Sequence, residues 1–295
     1  MAFVLGVIDI THSKTARLFV EALTVLDVSV LDRMRGIIGD SYIVDVVLEG
    51  PLDEYGMVMD FGDVKPRIKQ VLDQTIDHCL LVPTLMDGVT YEVGSLTYIS
   101  PESLVEIHYQ APHHTMIGLP SEAVTPDSII DYVTPFVREV LSESVTNIHL
   151  NLRHESIPDS FYQYSHGLRH HKGDCQRMVH GHRSKINVLR NGHRDHDLEA
   201  LVAQRFHDAY VGTASDIVAR YQKNDVGYVT FSYTSSQGLF KLNIPTDSCL
   251  VMESVSTVEN IAQYMTDFLA EKCAGDTIEV YAYEGVGKGV MTSTS

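Results

Sequence analysis

His166-Gly-Leu-Arg-His-His-Lys-Gly-Asp-Cys175-Gln-Arg-Met-Val-His180-Gly-His182 sets a thiol five residues ahead of a His-x-His pair, with a further histidine upstream. Residues two apart in a β-strand face the same way, so His180 and His182 aim both imidazoles at one point if the segment is a strand. His166 on a neighbouring strand completes a three-histidine set and leaves one coordination position open, the pattern of a catalytic zinc. Cys175 beside such a cation has its thiolate favoured, which makes it a candidate base or nucleophile. The plainer use of the tract is a solvated surface, since ten of the 15 histidines fall between His149 and His207. His170, His171, His193 and His196 sit among Arg, Lys, Asp and Gly and are expected in exposed loops.

Composition narrows the setting. A chain of 295 residues holds one large domain or two ordinary ones. Hydrophobic and charged fractions of 44% and 21% are those of a globular protein. A net charge of −17 disfavours nucleic acid and anionic membrane as partners. An anionic small substrate then needs a local basic or metal focus, which the Arg, Lys and His residues around Cys175 supply. The four cysteines are scattered and form no disulfide framework. No apolar run reaches membrane-spanning length. The start, Met1-Ala-Phe-Val-Leu-Gly-Val-Ile-Asp-Ile10, lacks a basic leader and reads as a strand, so the cytoplasm is the expected location.

Working outward, the chain says the same thing twice. In the first half, Val44–Glu49 reads as a strand, Gly50–Gly56 as a turn and Met57–Phe61 as a second strand. Val64, Ile68, Val71, Leu72 and Ile76 follow at helical spacing, with Pro66 tolerated in the first turn. In the second half, His182–Leu189 is a strand, Asn191-Gly192 marks a turn, and Leu198, Leu201, Val202, Arg205 and Phe206 recur as a helix. Each half closes with a helix and a strand. Thr125-Pro-Asp-Ser caps the first closing helix, and its strand, Asn147–Leu152, runs on to Glu155. Ser256-Thr-Val-Glu259 reads as a capping box for the second, and its strand, Thr277–Tyr283, ends at Glu284. Strands with helices on one face give an α+β layered fold. The boundary falls near Ile157-Pro158-Asp159, dividing the chain into 1–156 and 157–295. The tail Gly287–Ser295 is expected to fray at its end.

These residues resemble the 6-pyruvoyl-tetrahydropterin and 6-carboxy-tetrahydropterin synthase family, over both halves. Tyr164-Ser-His166-Gly-Leu is similar to its first metal-histidine strand, and Cys175 with His180-Gly-His182 to its cysteine and His-Gly-His. Ser256-Thr257-Val-Glu-Asn-Ile-Ala262 resembles the family's Thr/Glu-Asn helix start. Glu284-Gly-Val-Gly-Lys-Gly289 resembles the closing strand with its pterin-anchoring glutamate. In the first half, Gly56-Met-Val-Met-Asp-Phe61 is similar to a hairpin-to-helix signature, and Ile76-Asp77-His78-Cys-Leu-Leu81 to the Asp-His-x-x-Leu catalytic motif. The resemblance implies two tandem T-fold (tunnelling fold) domains, antiparallel sheets with helices on one face, which assemble into a barrel as a homo-oligomer, a dimer or tetramer.

The departures imply a division of labour. Ile38-Gly-Asp40 stands where the first half would carry His-Gly-His, so residues 1–156 form a degenerate domain without metal histidines. Arg205-Phe-His207-Asp208 stands where the second half would carry Asp-His, with the pair reversed. Family sites form between subunits, with metal and cysteine on one and the Asp-His pair on the other. The second domain is therefore expected to give a Zn2+ on His166, His180 and His182 and the thiol of Cys175, and the first to give Asp77 and His78. A plain buried thiol is the other use of Cys175, and a helix-end cap the other use of Asp77-His78. His207-Asp208 is the alternative pair. Glu284, Thr257 and Glu155 are the implied substrate-binding residues. A carboxylate there suits a pterin, because its two oxygens accept in parallel from the 2-amino group and N3–H. The implied reaction is triphosphate elimination from dihydroneopterin triphosphate. The alternatives are a non-catalytic pterin or zinc binder, or a metal-free tandem T-fold acting on a purine, as urate oxidase does.

Overall fold

A computed structural model of the chain describes residues 15–294. The strand expected over Met1–Ile10 lies outside these residues. The first half opens with a long antiparallel hairpin, β1 (Thr15–Asp32) and β2 (Gly36–Pro51). Helix α1 (Phe61–Thr75) follows, then β3 (Leu80–Pro83), β4 (Val89–Glu92), β5 (Ser95–Ile99), β6 (Glu106–Gln110) and β7 (Met116–Leu119). Helix α2 (Pro126–Val140) and β8 (Asn147–Arg153) close it. The second half runs β9 (Phe161–His166), β10 (His180–Arg190), β11 (His193–Arg194), α3 (His196–Arg205) and β12 (Ala209–Thr213). It continues with β13 (Ile217–Lys223), β14 (Val226–Ser235), β15 (Gly238–Pro245), β16 (Cys249–Met252), α4 (Val258–Lys272), β17 (Ile278–Tyr283) and β18 (Gly289–Ser293).

Each half builds one sheet with its helices on one face. The first has strand order β7-β3-β1-β2-β8, and the second β16-β12-β9-β10-β17-β18 with β11 paired to β10. Val64, Ile68 and Leu72 of α1 and Ile129, Val133 and Val137 of α2 are buried against the first sheet. Ile261, Met265 and Leu269 of α4 and Val202 of α3 do the same for the second. Each such side chain is worth about 1.5–3 kcal/mol of burial. These are the periodic positions the sequence marks.

Two local readings need correction. Met57–Asp60 is not a strand: Asp53 turns the chain by accepting from the N–H groups of Tyr55 and Met57, and Asp60 N-caps α1 by accepting from Gly62 N–H. The N-cap of α4 is Thr257, which accepts from Asn260 N–H at 3.4 Å, so Ser256 is freed for another use. The tail is ordered as far as β18, paired to β17 through Ser293, and Ser295 at its end lies outside the described residues.

The sheets share one register. Ser29 of β1 faces Gly39 of β2, with Val30 opposite Ile38 and Val28 opposite Asp40. In the second half Ser165 faces Gly181, with His166 opposite His180 and Tyr164 opposite His182. Val30, Ile38 and Asp40 thus occupy the positions of His166, His180 and His182. The two hairpins cross back to back at these glycines: a Cβ on Gly181 would stand 2.4 Å from Gly39 Cα. Ser29 and Ser165 hydroxyls meet 2.8 Å apart beside the crossing, on an approximate twofold.

A third sheet belongs to both halves. Strands inserted into each join in the order β13-β14-β15-β6-β5-β4, with β6 antiparallel to β15. Its inner face packs Tyr98, Tyr109, Phe231, Phe240 and Leu242 into a core of their own.

Candidate metal and catalytic site

The strand geometry brings three imidazoles together. His166 ends β9, His180 and His182 begin β10 on the same face, and all three are buried. Their ligand atoms lie within 4.8 Å of one another. His166 Nε2 and His182 Nε2 are 3.3 Å apart, and His180 Nε2 is buried without a hydrogen-bond partner. Two nitrogens on a tetrahedral zinc at about 2.05 Å are separated by about 3.3 Å, so the set fits such an ion.

The other ring nitrogens are engaged outward. His166 Nδ1 donates to the carbonyl of Ser256 at 2.8 Å, the use for which that residue is freed. His180 Nδ1 donates to the carbonyl of Arg177 at 2.9 Å. These bonds fix the tautomers with bare Nε2 atoms pointing inward. Burial, reinforced by the neighbouring imidazoles, holds His166 and His180 well below the usual histidine range, so both are neutral, as metal ligands must be.

His182 has a partner that the sequence reading does not contain. Its Nδ1 stands 3.2 Å from Oδ1 of Asp27, a buried carboxylate on β1 of the first half. Burial alone would raise that carboxyl. His182, Lys288 and the Ser41 hydroxyl outweigh it and hold Asp27 below the usual carboxylate range. The available signal was one acid inside the apolar run Val25-Leu-Asp27-Val-Ser-Val-Leu31.

The thiol reaches the site through an enlarged turn. Residues 33–35 join β1 to β2, but residues 167–179 join β9 to β10, and Cys175 lies there on a short 3-10 turn, Asp174–Gln176. Leu168 N–H closes the loop on the Cys175 carbonyl at 2.8 Å. The β14–β15 hairpin tip holds it from above: Ser236 donates to the Gln176 side chain, and Gln237 donates to Asp174. Cys175 is half-buried.

Asp77 and His78 come from the first half and meet this loop. His78, Cys175 and His180 present their ligand atoms within 4.8 Å of one another. Asp77 follows α1, but its carboxylate does not cap the helix. Oδ1 accepts from Asp27 N–H at 2.9 Å, and Oδ2 lies 2.8 Å from His78 Nδ1. His78 adopts φ +56 there, held by its N–H bond to the Asp27 carbonyl. Burial opposes its charge, but Asp77 and Cys175 raise its pKa to about 10. Arg177, one of the basic residues beside Cys175 in sequence, clamps the halves together: its buried guanidinium donates to the Asp77 carbonyl at 2.7 Å and pairs with Asp174.

The remaining expected residues divide. Glu284 stands at the cluster edge, Oε1 4.0 Å from His182 Nε2. Thr257 acts through the α4 cap that sets Ser256 against His166. Glu155 is not brought to the cluster. The register makes His154 the counterpart of Glu284, and Glu155 pairs with Lys185 at 2.8 Å near the degenerate position. His207-Asp208 is also elsewhere: Asp208 is chelated by Arg35 beside Gln163, and His207 is exposed. His170, His171, His193 and His196 are exposed, as expected.

Fold and site define a tandem T-fold protein with a buried three-histidine cluster at the crossing of its halves. The sequence profile described as 6-pyruvoyl tetrahydropterin synthase matches residues 24–112 and 158–291, and the chain belongs to that family. Its activity class is that of a pterin synthase-type lyase. A Pyrococcus abyssi protein named "Putative 6-carboxy-5,6,7,8-tetrahydropterin synthase" is 25% identical over 127 residues, 43% of this chain and 74% of that protein. Solved 6-pyruvoyl tetrahydropterin synthases from Plasmodium falciparum and Plasmodium vivax are each 20% identical. They cover 47% and 48% of this chain and 98% of their own, with TM-scores of 0.37 and 0.33. Among the described residues no helix is long and apolar enough to cross a membrane.

Proposed function

We propose that the chain is a zinc-dependent pterin synthase that acts on dihydroneopterin triphosphate and eliminates triphosphate, forming 6-pyruvoyl-tetrahydropterin or, with further cleavage of the side chain and loss of its two outer carbons, 6-carboxy-tetrahydropterin. The observation that carries this reading is the meeting of Cys175 and His180 of one half with His78 of the other, ligand atoms within 4.8 Å, His180 being shared with the three-histidine cluster. His166, His180 and His182 would hold the ion, which when bound supplies a Lewis acid for the substrate's side-chain hydroxyls. Cys175 takes a proton from the side chain, and His78, oriented by Asp77, returns it. The raised pKa of His78 supports that role, since the ring carries a proton at neutral pH. Glu284 binds the pterin's 2-amino and N3–H edge in parallel. Thr257 acts indirectly, and Glu155 takes no part.

The chain thus divides its labour, residues 157–295 giving metal ligands and thiol and residues 1–156 giving the Asp-His pair. Assembly into a homo-oligomer is part of the same reading. The sheet edges at β7, β8, β16 and β18 are open among the described residues, which suits strand addition by further copies. The test is mass spectrometry of products formed when zinc-loaded protein meets dihydroneopterin triphosphate. Triphosphate released with a pyruvoyl- or carboxy-tetrahydropterin is the expected result and distinguishes the two products. Unchanged substrate with zinc bound would overturn the reading and favour a non-catalytic binder or a purine substrate.

A further inference from the structure

The shared six-stranded sheet carries a second concavity, made of none of the metal-cluster residues. Alternate residues of its strands turn away from the apolar core, and near the middle of that outer face they are polar, with Leu239 and Ile99 exposed further out. They form two cross-strand rows. Thr230, Asn243, His108 and Thr97 stand side by side across β14, β15, β6 and β5. Lys241, Gln110 and Ser95 form the next row. Both rows cross the β15–β6 seam between the halves. They line a pocket of about 400 Å³, with Tyr221 of β13 at one end.

Two features mark this as a site built for a ligand and not merely a wetted sheet face. Asn243 is only 7% exposed, yet its Nδ2 has no hydrogen-bond partner. The Thr230 hydroxyl donates to its Oδ1 at 2.9 Å. Turning the amide over only transfers the vacancy to the other end, so one buried polar atom of this pocket-lining side chain goes unmet either way. The charge also has one sign. Lys241 lines the pocket, and no carboxylate does. The nearest acid on this face, Glu106, is engaged by Lys223 and by His108 at 3.2 Å. In a chain of net charge −17, a carboxylate-free pocket with a lysine is a local focus for an anion.

We propose that this pocket binds a small sugar phosphate. The Lys241 ammonium meets the phosphate as a point charge. Asn243, Gln110, Thr97 and Ser95 supply paired donors and acceptors for vicinal hydroxyls, and the ring of Tyr221 supplies an apolar wall for the sugar's C–H face.

The test uses the full chain and ribose 5-phosphate, with ribose and inorganic phosphate as separate arms, followed by the side-chain amide signal of Asn243 in nitrogen-labelled protein. Ribose 5-phosphate is expected to shift that signal saturably and to bind at least about tenfold tighter than either arm alone. Lys241→Met, an exposed change, is expected to weaken binding about tenfold or more. Asn243→Asp, which sets an isosteric carboxylate against the anion, should weaken it with the fold retained by circular dichroism. Ribose 5-phosphate that leaves the Asn243 signal unmoved overturns the proposal, as does binding that Lys241→Met leaves unchanged. Inorganic phosphate binding as tightly as ribose 5-phosphate also overturns it.

Discussion

Gly39→Ala is expected to damage the protein at a position far in sequence from every histidine of the cluster. A Cβ built there lies 1.9 Å from the Tyr164 carbonyl oxygen and 2.5 Å from His182 N–H nitrogen, both main-chain atoms. Ordinary contacts begin near 3.4 Å, and main chain cannot rotate away as a side chain can. The hairpins must therefore separate by roughly an ångström in a close-packed interior. Overpacking of this kind costs about 1–3 kcal/mol and occasionally more, and main-chain atoms put the change at or above about 3 kcal/mol. At about 2–4 °C per kcal/mol for chains of roughly this size, the melting temperature falls by about 6–12 °C. Because the displaced strand carries His182, the affinity of the proposed zinc site is expected to fall with it, by about 10–100-fold. Thermal melts and competition with a chelator measure the two effects. Gly227→Ala is the control, since its Cβ meets only the Thr246 side chain at 3.3 Å. A Gly39→Ala protein that melts within a degree or two of the parent and keeps its zinc affinity would refute the back-to-back crossing.

Other outcomes follow from the site. Asp77→Ala or His78→Ala should lower turnover by about 10²–10⁴-fold with zinc content unchanged. If turnover survives either change while Cys175→Ala abolishes it, the composite site is wrong. Asp27→Asn keeps the shape but removes the charge behind His182, and a chelator titration should show zinc held about 10–100-fold more weakly. Burial pushes the thiols of Cys79 and Cys249 up to about 12. At pH 7.5, iodoacetamide followed by peptide mapping should therefore find the half-buried Cys175 alkylated before either. Early labelling of Cys79 would contradict its burial under Arg177.

Much of this was legible because it is local. The apolar stripes of the four helices, the Asn191-Gly192 turn with both residues at positive φ and the His-x-His parity all repeat within a few residues. Met57–Phe61 misled because its alternation imitates a strand, while Asp53 and Asp60 use short side-chain bonds that periodicity does not register. The joining of β6 to β15 was hidden, since neither strand signals a partner some 130 residues away. Asp27 was hidden for the same reason: a single acid in an apolar strand announces burial but not the histidine it will meet. Glu155 looked like the counterpart of Glu284 by its strand ending, and only the register, offset by one residue, assigns that position to His154.

The crossing of the hairpins has a consequence for how this protein behaves at low concentration. Where a catalytic pair and its metal ligands lie on separate chains, activity fades as the assembly dissociates. Here the segment between Arg153 and Phe161 ties Asp77 and His78 to the half that carries Cys175 and the three histidines, so in the proposed site they meet by an intramolecular step at a fixed effective concentration. Activity per chain should hold as the solution is thinned. In the first half Val30, Ile38 and Asp40 stand at the histidine positions, so among the described residues the chain holds one three-histidine cluster, with groups of both halves around it.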